Sequence, residues 1–416
     1  KKKKDRGKFD WLKESLLVSF YASLFSYPAV AYYFSSVSLI GIFANLLIVP
    51  LSGLLLGFGL LSVLLGAVCL PVGIFAAGSV YAILQAFKIV CTALVRLPFA
   101  YVLVGCPSYL SIVLYYVLLF FVLEYGGRKG SWKVGAVLSA ALFCAVFENP
   151  LFRKENTIAF LDVGQGDSEL IVTDTAAVLI DAGEQSAADD ILADLQQYGI
   201  TKLDWIIGTH PHADHIGGFP TILIYTAPNS DLTICNAMSP QLPDSMVPTT
   251  RTYEKFLDGI EANGLILTPA TSMTIDMGTA SLEIIPSPAE DYSSLNDYSI
   301  CAYLTCGDTS FFFTGDASKP EEKDLLEKGE LDGIQADVLK VGHHGSRESS
   351  TDAFLAQLQP SYAVISCGAG NSYGHPHSEA VSRLQQYCGE QIWRTDESGT
   401  VTISSDGSNL TVTTEK

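Results

Sequence analysis

The chain has 416 residues, 48% of them hydrophobic, with a net charge of −19 and nine cysteines. The charge is unevenly spread: residues 1–150 hold 12 Lys and Arg against 5 Asp and Glu, leaving 13 against 39 for residues 151–416, a swing from +7 to −26. This split excludes one uniformly soluble domain, and cysteines scattered without a Cys-x-x-Cys pair exclude a disulfide-built scaffold.

Residues 1–150 read as a polytopic α-helical membrane region. Apolar runs near Trp11–Phe34, Ser38–Phe58, Leu60–Val80 (continuing toward Val95), Ser108–Leu123 and Val134–Phe147 predict about five spans, each near the ~20 residues a bilayer needs. Several spans also rule out a signal peptide. The chain opens Lys1–Lys4 with no methionine, which predicts a fragment or processed form. Basic residues mark cytoplasmic loops: Lys1–Lys4, Arg6 and Lys8 place the start there, and Arg128, Lys129 and Lys133 the loop before the last span. Five crossings then leave everything after Glu148 outside the cytoplasm. Asn45 followed by Pro50 points to a broken helix, and helix packing or a transport path would each explain it. Cys69, Cys91, Cys106 and Cys144 read as small buried apolar residues.

Residues 151–416 change to short alternating strands with turn residues between them. Strands are predicted at Ile158–Val163, Ser168–Thr173 and Ala177–Ile180, then a helix over Ala187–Tyr198 and a buried strand over Leu203–Gly208. After Gly217-Gly218 comes a helix, then a looser stretch from Tyr225 to Pro269 rich in Pro, Ser and Thr. Strands resume at Leu282–Ile285, Ser299–Thr305, Ser310–Thr314, Asp337–Val341 and Tyr362–Ser366, with helices over Pro320–Lys328 and Val381–Tyr387 and closing strands in Ile392–Ser404 and Leu410–Thr414. Two stacked halves of this kind give an α/β αββα sandwich with ligand-bearing loops on one edge.

All seven histidines lie in this half. His210, His212, Asp214 and His215 follow a buried strand as His-x-His-x-Asp-His, a spacing that converges on metal from a tight strand-to-helix turn. His210 and His212 can share one ion, Asp214 and His215 face a second, and Asp316 in Thr-Gly-Asp is the natural carboxylate bridge. His343 or His344 completes the second site, and the other member contacts a phosphate or acts as acid. His375 has a substrate-side role, and His377 a surface or supporting one. Imidazole suits Zn, Mn, Fe or Co, and two divalent ions, Zn or Mn foremost, would activate a water and clamp the oxygens of a phosphoryl centre.

Thr209-His-Pro-His-Ala-Asp-His-Ile-Gly-Gly218 resembles the signature of the metallo-β-lactamase superfamily. Phe160-Leu-Asp-Val-Gly-Gln-Gly-Asp167, Phe313-Thr-Gly-Asp316, Leu339-Lys-Val-Gly-His-His-Gly-Ser346 and Tyr373-Gly-His-Pro-His377, behind a membrane region, resemble the C-terminal part of ComEC-type competence proteins. The resemblance implies import of single-stranded DNA through a membrane channel. It also implies a metal-dependent phosphodiesterase outside the cytoplasm that degrades the non-imported strand, together with other DNA-uptake proteins as partners. On it, Asp214, Asp316, His344 and His375 are the expected catalytic residues, and Gln165, Asp167, Ser346 and His377 the expected substrate contacts. Metal ligands are expected at His210, His212, Asp214, His215, Asp316 and His343.

Two departures stand out. The small β-domain and extra helices usual upstream are missing, and no histidine lies between His215 and His343 to complete the first site. That leaves the first site with His210, His212 and Asp316, either weak or completed by water, by substrate, or by Asn296 or Asp297, which brings Mn level with Zn. A domain of net −26 should also repel DNA, unless metals and a patch of Lys202, Lys340, Arg347, Arg383 and Arg394 offset it locally. The rival readings are a membrane-tethered esterase acting on a small phosphodiester and a transport protein with an inactive hydrolase domain.

Overall fold

Apolar composition alone dictates helices in the first part, and the computed structural model describes residues 10–34, 36–38, 40–95, 97, 100–103, 107, 109–125, 155–226, 232–289 and 291–416. Helices α1 (Asp10–Phe34), α2 (Gly41–Val68), α3 (Leu70–Val95) and α4 (Tyr109–Tyr125) are joined by short strands β1 (Ser36–Ser38) and β2 (Tyr101–Leu103), paired antiparallel. Among the described residues three helices are long and apolar enough to cross a membrane, and the apolar part of the fourth, Ser111–Phe120, is shorter. The fifth expected span, Val134–Phe147, lies outside the described residues. Large apolar side chains point outward, Leu56 at 75% exposure and Phe75 at 87%, a surface suited to lipid.

The breaks between helices differ from expectation. Helix α2 runs on past Gly59 and through Pro50, and the chain turns instead at Cys69, whose extended backbone ends α2 immediately before Leu70-Pro71. Proline is tolerated in the first turn of a helix, where its missing N–H has no partner to lose. Just beyond the turn Gly66 and Gly73 meet so closely that a Cβ on Gly73 would sit 2.3 Å from the Gly66 Cα. Pro28 inside α1 cannot donate to the Leu24 carbonyl. The Tyr115 hydroxyl of α4 donates to that oxygen at 2.7 Å, and Tyr116 to the Phe25 carbonyl at 2.8 Å, so a neighbouring helix satisfies what proline frees. Cys69 and Cys91 are exposed rather than buried.

The chain divides into two compact units, one over residues 1–152 and the other over nearly all of 153–416. In the second, two sheets face each other. One has strand order β17-β16-β3-β4-β5-β6-β7-β8 and the other β15-β14-β13-β12-β11-β10-β9. The first sheet contains β3 (Asn156–Phe160), β4 (Glu169–Val172), β5 (Ala177–Ile180), β6 (Lys202–Ile207), β7 (Thr233–Ser239), β8 (Leu267–Pro269), β16 (Val401–Ser405) and β17 (Leu410–Thr414). The second contains β9 (Met273–Asp276), β10 (Ser281–Ile285), β11 (Cys301–Cys306), β12 (Thr309–Phe313), β13 (Val338–Lys340), β14 (Tyr362–Ile365) and β15 (Ile392–Arg394).

Period-2 alternation puts Ile158, Phe160, Val178 and Ile180 against Leu282, Leu304, Phe311 and Phe313 in the shared core, with Phe160 stacked on Phe313 at 6.1 Å. On the outer face of the second sheet Phe312, Leu339 and Ala363 pack under Phe354, Leu355 and Leu384 of two helices. This is the αββα sandwich. Two helices that escaped the sequence pattern are Asp352–Leu358, which buries Phe354 and Leu355, and Arg251–Ala262, which forms within the looser stretch, capped by the Thr250 hydroxyl accepting from the Tyr253 N–H at 3.3 Å and burying Phe256 and Ile260. Cys301 and Cys306 are both free and buried.

Candidate metal centre

The site is assembled from strand ends. Parallel pairing of β5 with β6 sets Asp181 beside Thr209. The Thr209 N–H donates to Asp181 Oδ1 at 2.7 Å and its hydroxyl to Oδ2 at 2.6 Å. The same Asp181 Oδ2 accepts from His215 Nδ1 at 2.6 Å, which fixes the tautomer and leaves His215 Nε2 facing inward. Gly166 lets the Leu161–Asp167 loop close on this turn. At φ +146 a Cβ there would lie 2.4 Å from the Asp214 carbonyl oxygen, the acceptor for the Asp167 N–H at 3.1 Å. From the second sheet, β12 delivers Asp316 and β13 delivers His343 and His344. Both histidines have left-handed backbone, φ 48 and φ 53, a conformation unfavourable for non-glycine residues and concentrated at functional sites.

Around Asp316 the geometry is two-sided. Oδ2 lies 3.8 Å from His210 Nε2 and 3.7 Å from His343 Nε2, while Oδ1 lies 3.4 Å from His215 Nε2 and 3.6 Å from His344 Nε2. His212 Nδ1 stands 3.0 Å from His210 Nε2, and Asp214 Oδ2 3.5 Å from His344 Nε2. Three of these atoms, His215 Nε2, Asp316 Oδ1 and His344 Nε2, are buried without any hydrogen-bond partner. Orphaned polar atoms that converge in this way cost free energy unless something else satisfies them. The donor set, imidazole nitrogens and carboxylate oxygens, is what a divalent ion takes.

 The ligand atoms of His210, His215 and Asp316, and likewise those of Asp214, His215 and His344, lie within 4.8 Å of one another.

The electrostatics agree with that fit. Burial alone would raise Asp316, yet His215 and His344 beside it hold its carboxyl well below the usual range. Burial would lower His344, but Asp316 and Asp167 push it up to about 10, and His215 is raised for the same kind of reason by Asp316 and Asp181. The carboxylates thus demand positive charge at the centre, which protons or a bound cation supply. His210, desolvated and next to His215, is held well below its usual value.

Sequence reasoning missed what stands behind the ligands. Asp167 is fully buried, with Oδ1 3.1 Å from His344 Nδ1 and Oδ2 accepting from Lys340 Nζ at 2.5 Å. It therefore faces the protein and not a substrate. Lys340 is itself 1% exposed, and its Nζ lies 3.9 Å from Glu169. The expected basic patch does not form: Lys202 pairs with Asp204, Arg347 with Glu379 and Arg394 with Asp396, while Arg383 donates to the backbone carbonyls of Arg347, Ser349 and Ser350.

A cavity of about 500 Å³ opens over the cluster, and Gln165, His212, Asp214, Asn296, His343 and His375 are among its lining. Gln165 Oε1 accepts from the Gly368 N–H at 3.1 Å. His344 is buried under the cavity, whereas the His343 side chain is 28% exposed. Asn296 reaches His343, its Nδ2 3.3 Å from the ring, and its Oδ1 is buried without a partner. Asp297 is turned away, accepting from the Ser318 hydroxyl at 2.5 Å. Ser346 and His377 do not line the cavity: Ser346 Oγ accepts from the Glu348 N–H, and His377 Nδ1 accepts from the Arg347 N–H at 3.2 Å. His375 keeps a buried, unpartnered Nδ1, and burial with the neighbouring His344 and His343 lowers it to about 4.

Comparison with known proteins agrees with both parts of the chain. Residues 1–129 match the family model described as Competence protein, and residues 161–229 and 289–369 match that of the metallo-beta-lactamase superfamily. ComE operon protein 3 of Bacillus subtilis (strain 168) is 27% identical over 420 residues, covering 94% of this chain and 52% of its own length. Competence protein ComA of Neisseria gonorrhoeae is 30% identical over 266 residues, covering 64% of this chain and 34% of its own. The chain thus spans about half the length of the first relative and a third of the second. Among solved structures, the metallo-beta-lactamase fold protein YhfI from Bacillus subtilis aligns over 61% of this chain and 100% of its own, with 11% identity and a TM-score of 0.41.

Proposed function

On the premise that this chain is of the ComEC type, a competence-protein membrane region followed by a metallo-β-lactamase domain, we propose that it takes part in DNA uptake. Residues 1–150 form part of the membrane channel, and residues 151–416 a phosphodiesterase that cuts the strand left outside. Other DNA-uptake proteins bring that strand to it. The observation that carries the hydrolase reading is the convergence of three buried, unpartnered ligand atoms on His215, Asp316 and His344.

His210, His212 and Asp316, with the amide oxygen of Asn296 in place of a third imidazole, would hold one divalent ion. Asp214, His215, His344 and Asp316 would hold a second. Zn and Mn both suit this set, and the Asn296 oxygen favours the harder Mn. When bound, such a pair supplies an activated water and counter-charge for phosphoryl oxygens. The chain's own groups then bind and orient. His375, neutral at pH 7, offers a free ring nitrogen to a phosphate oxygen or leaving group. His343 and Gln165 line the approach. His344 moves from a substrate role to a ligand role, and His343 makes the opposite exchange. Asp181 and Asp167 hold His215 and His344 in the required orientation.

The test is cleavage of single-stranded DNA by the full chain in detergent with Mn or Zn. Wild type is expected to cut and Asp214→Ala to lose at least tenfold, because the variant removes a ligand. Equal cleavage by the two would sink the reading. A small phosphodiester remains the second reading, favoured by the lack of any lysine or arginine among the described residues that line the cavity.

Placement outside the cytoplasm is tested through Cys235, an exposed residue of the hydrolase domain. A membrane-impermeant maleimide should label it in intact cells, or in spheroplasts where an outer envelope intervenes, and Cys235→Ser should remove that label. Labelling that begins only after lysis would place the domain on the cytoplasmic side.

A further inference from the structure

The cavity presents a physical difficulty for a nucleic-acid substrate. Backbone recognition ordinarily relies on lysine and arginine, yet none lines the cavity among the described residues, and the nearby cations are spent in ion pairs or on carbonyls. Bound metal ions neutralise charge at the reacting phosphate alone. Affinity for the rest of a strand must come from elsewhere.

One feature at the mouth supplies it. Tyr373 lines the cavity and is 64% exposed, unusual for an aromatic ring not covered by its own fold. Its ring stacks on His375 at 5.7 Å with an interplanar angle of 22°. His375 in turn lies 5.5 Å from His343, so a run of rings leads outward from the ligand cluster. The loop that carries Tyr373 is pinned. Asn371 Oδ1 accepts from the Tyr373 and His375 N–H groups at 3.1 and 3.0 Å, and its Nδ2 donates to the Gly368 and His375 carbonyls at 2.9 and 2.6 Å. An exposed ring held by a fixed loop loses little entropy when a second ring stacks on it.

We propose that Tyr373, backed by His375, is a platform for an unpaired nucleobase of the strand whose phosphodiester enters the cavity. The proposal rests on the phosphodiesterase reading for its substrate class. Base stacking on aromatic side chains is tolerant of sequence because every base has a π-face. It also requires the base to be unpaired, which selects a single strand over a duplex. Recognition by stacking, and not by backbone charge, suits a strongly acidic domain.

The experiment measures binding without cleavage, using the full chain in detergent with Mn. The probes are fluorescent phosphorothioate oligo(dT) and the same backbone carrying abasic sites, read by anisotropy. Wild type should prefer the oligonucleotide with bases by about 5- to 100-fold. Tyr373→Ala should bring that ratio close to one, and Tyr373→Phe should keep it. A ratio near one in wild type, a ratio that survives Tyr373→Ala, or no binding of either probe overturns the platform. Failure of the phosphodiesterase reading shows separately, as strong base-dependent binding by a wild type that cuts no ordinary DNA.

Discussion

Replacing Asp316 with asparagine is expected to remove both ions of the proposed site and to lower the proposed DNA cleavage more than about 100-fold, since losing a mere supporting partner of a ligand already costs 10–100-fold. The two carboxylate oxygens divide the cluster. Oδ2 faces His210 and His343, and Oδ1 faces His215 and His344. Asparagine keeps the shape and hydrogen-bonding capacity but removes the charge, and it puts an NH2 donor toward one group of imidazoles. The backbone N–H of Asp316, which donates to Ser299 Oγ at 3.0 Å, is unaffected, so the turn should persist. Bound metal per chain, measured by mass spectrometry after gel filtration, should fall from two toward zero. In Asp214→Ala, which touches one group only, it should fall toward one. Two ions retained in Asp316→Asn would exclude the bridge.

What the sequence made legible was the part of the site that clusters along the chain. His210, His212, Asp214 and His215 fall within six residues, and Asp316 and His343-His344 each end a strand, so local pattern and site coincide. The groups behind them were hidden for a physical reason. Asp181 looks like an ordinary strand-ending aspartate until β5 pairs with β6, and Lys340 looks like a surface cation until β13 is buried between β12 and β14. Asp167, sharing a glycine-rich loop with Gln165, reads as a ligand-facing residue. The loop folds so that Gln165 reaches the cavity and Asp167 turns under His344. The αββα arrangement was legible from strand alternation, but Arg251–Ala262 was not. Its apolar stripe is carried mainly by Phe256 and Ile260, and the Pro and Ser residues ahead of it resemble a loop. In the membrane region hydropathy located apolar sequence but not the turns. Glycine and proline within an apolar run mark a turn at Cys69 and leave the helix continuous at Pro50, a distinction set by helix packing.

Lys340→Met should destabilise the hydrolase domain by about 3–5 kcal/mol, the cost of leaving a buried charge without its partner. Lys340 Nζ lies within reach of two carboxylates, donating to Asp167 at 2.5 Å and standing 3.9 Å from Glu169, whose Oε1 has no hydrogen-bond partner. Burial already drives Glu169 well above its usual value even with Lys340 present, so Glu169 can shed its charge by binding a proton. Asp167 has less freedom, because His344 also leans on its carboxylate. Methionine matches the aliphatic stem, so the change isolates charge from packing. At roughly 2–4 °C per kcal/mol for a domain of this size, the hydrolase transition of the full chain should fall by about 6–20 °C. Lys340→Met with Asp167→Asn removes both charges and should recover part of the loss, whereas two independent effects would simply add. A single variant within about 1 kcal/mol of wild type would show that His344 alone balances the Asp167 carboxylate. The lysine would then be no part of what orients His344.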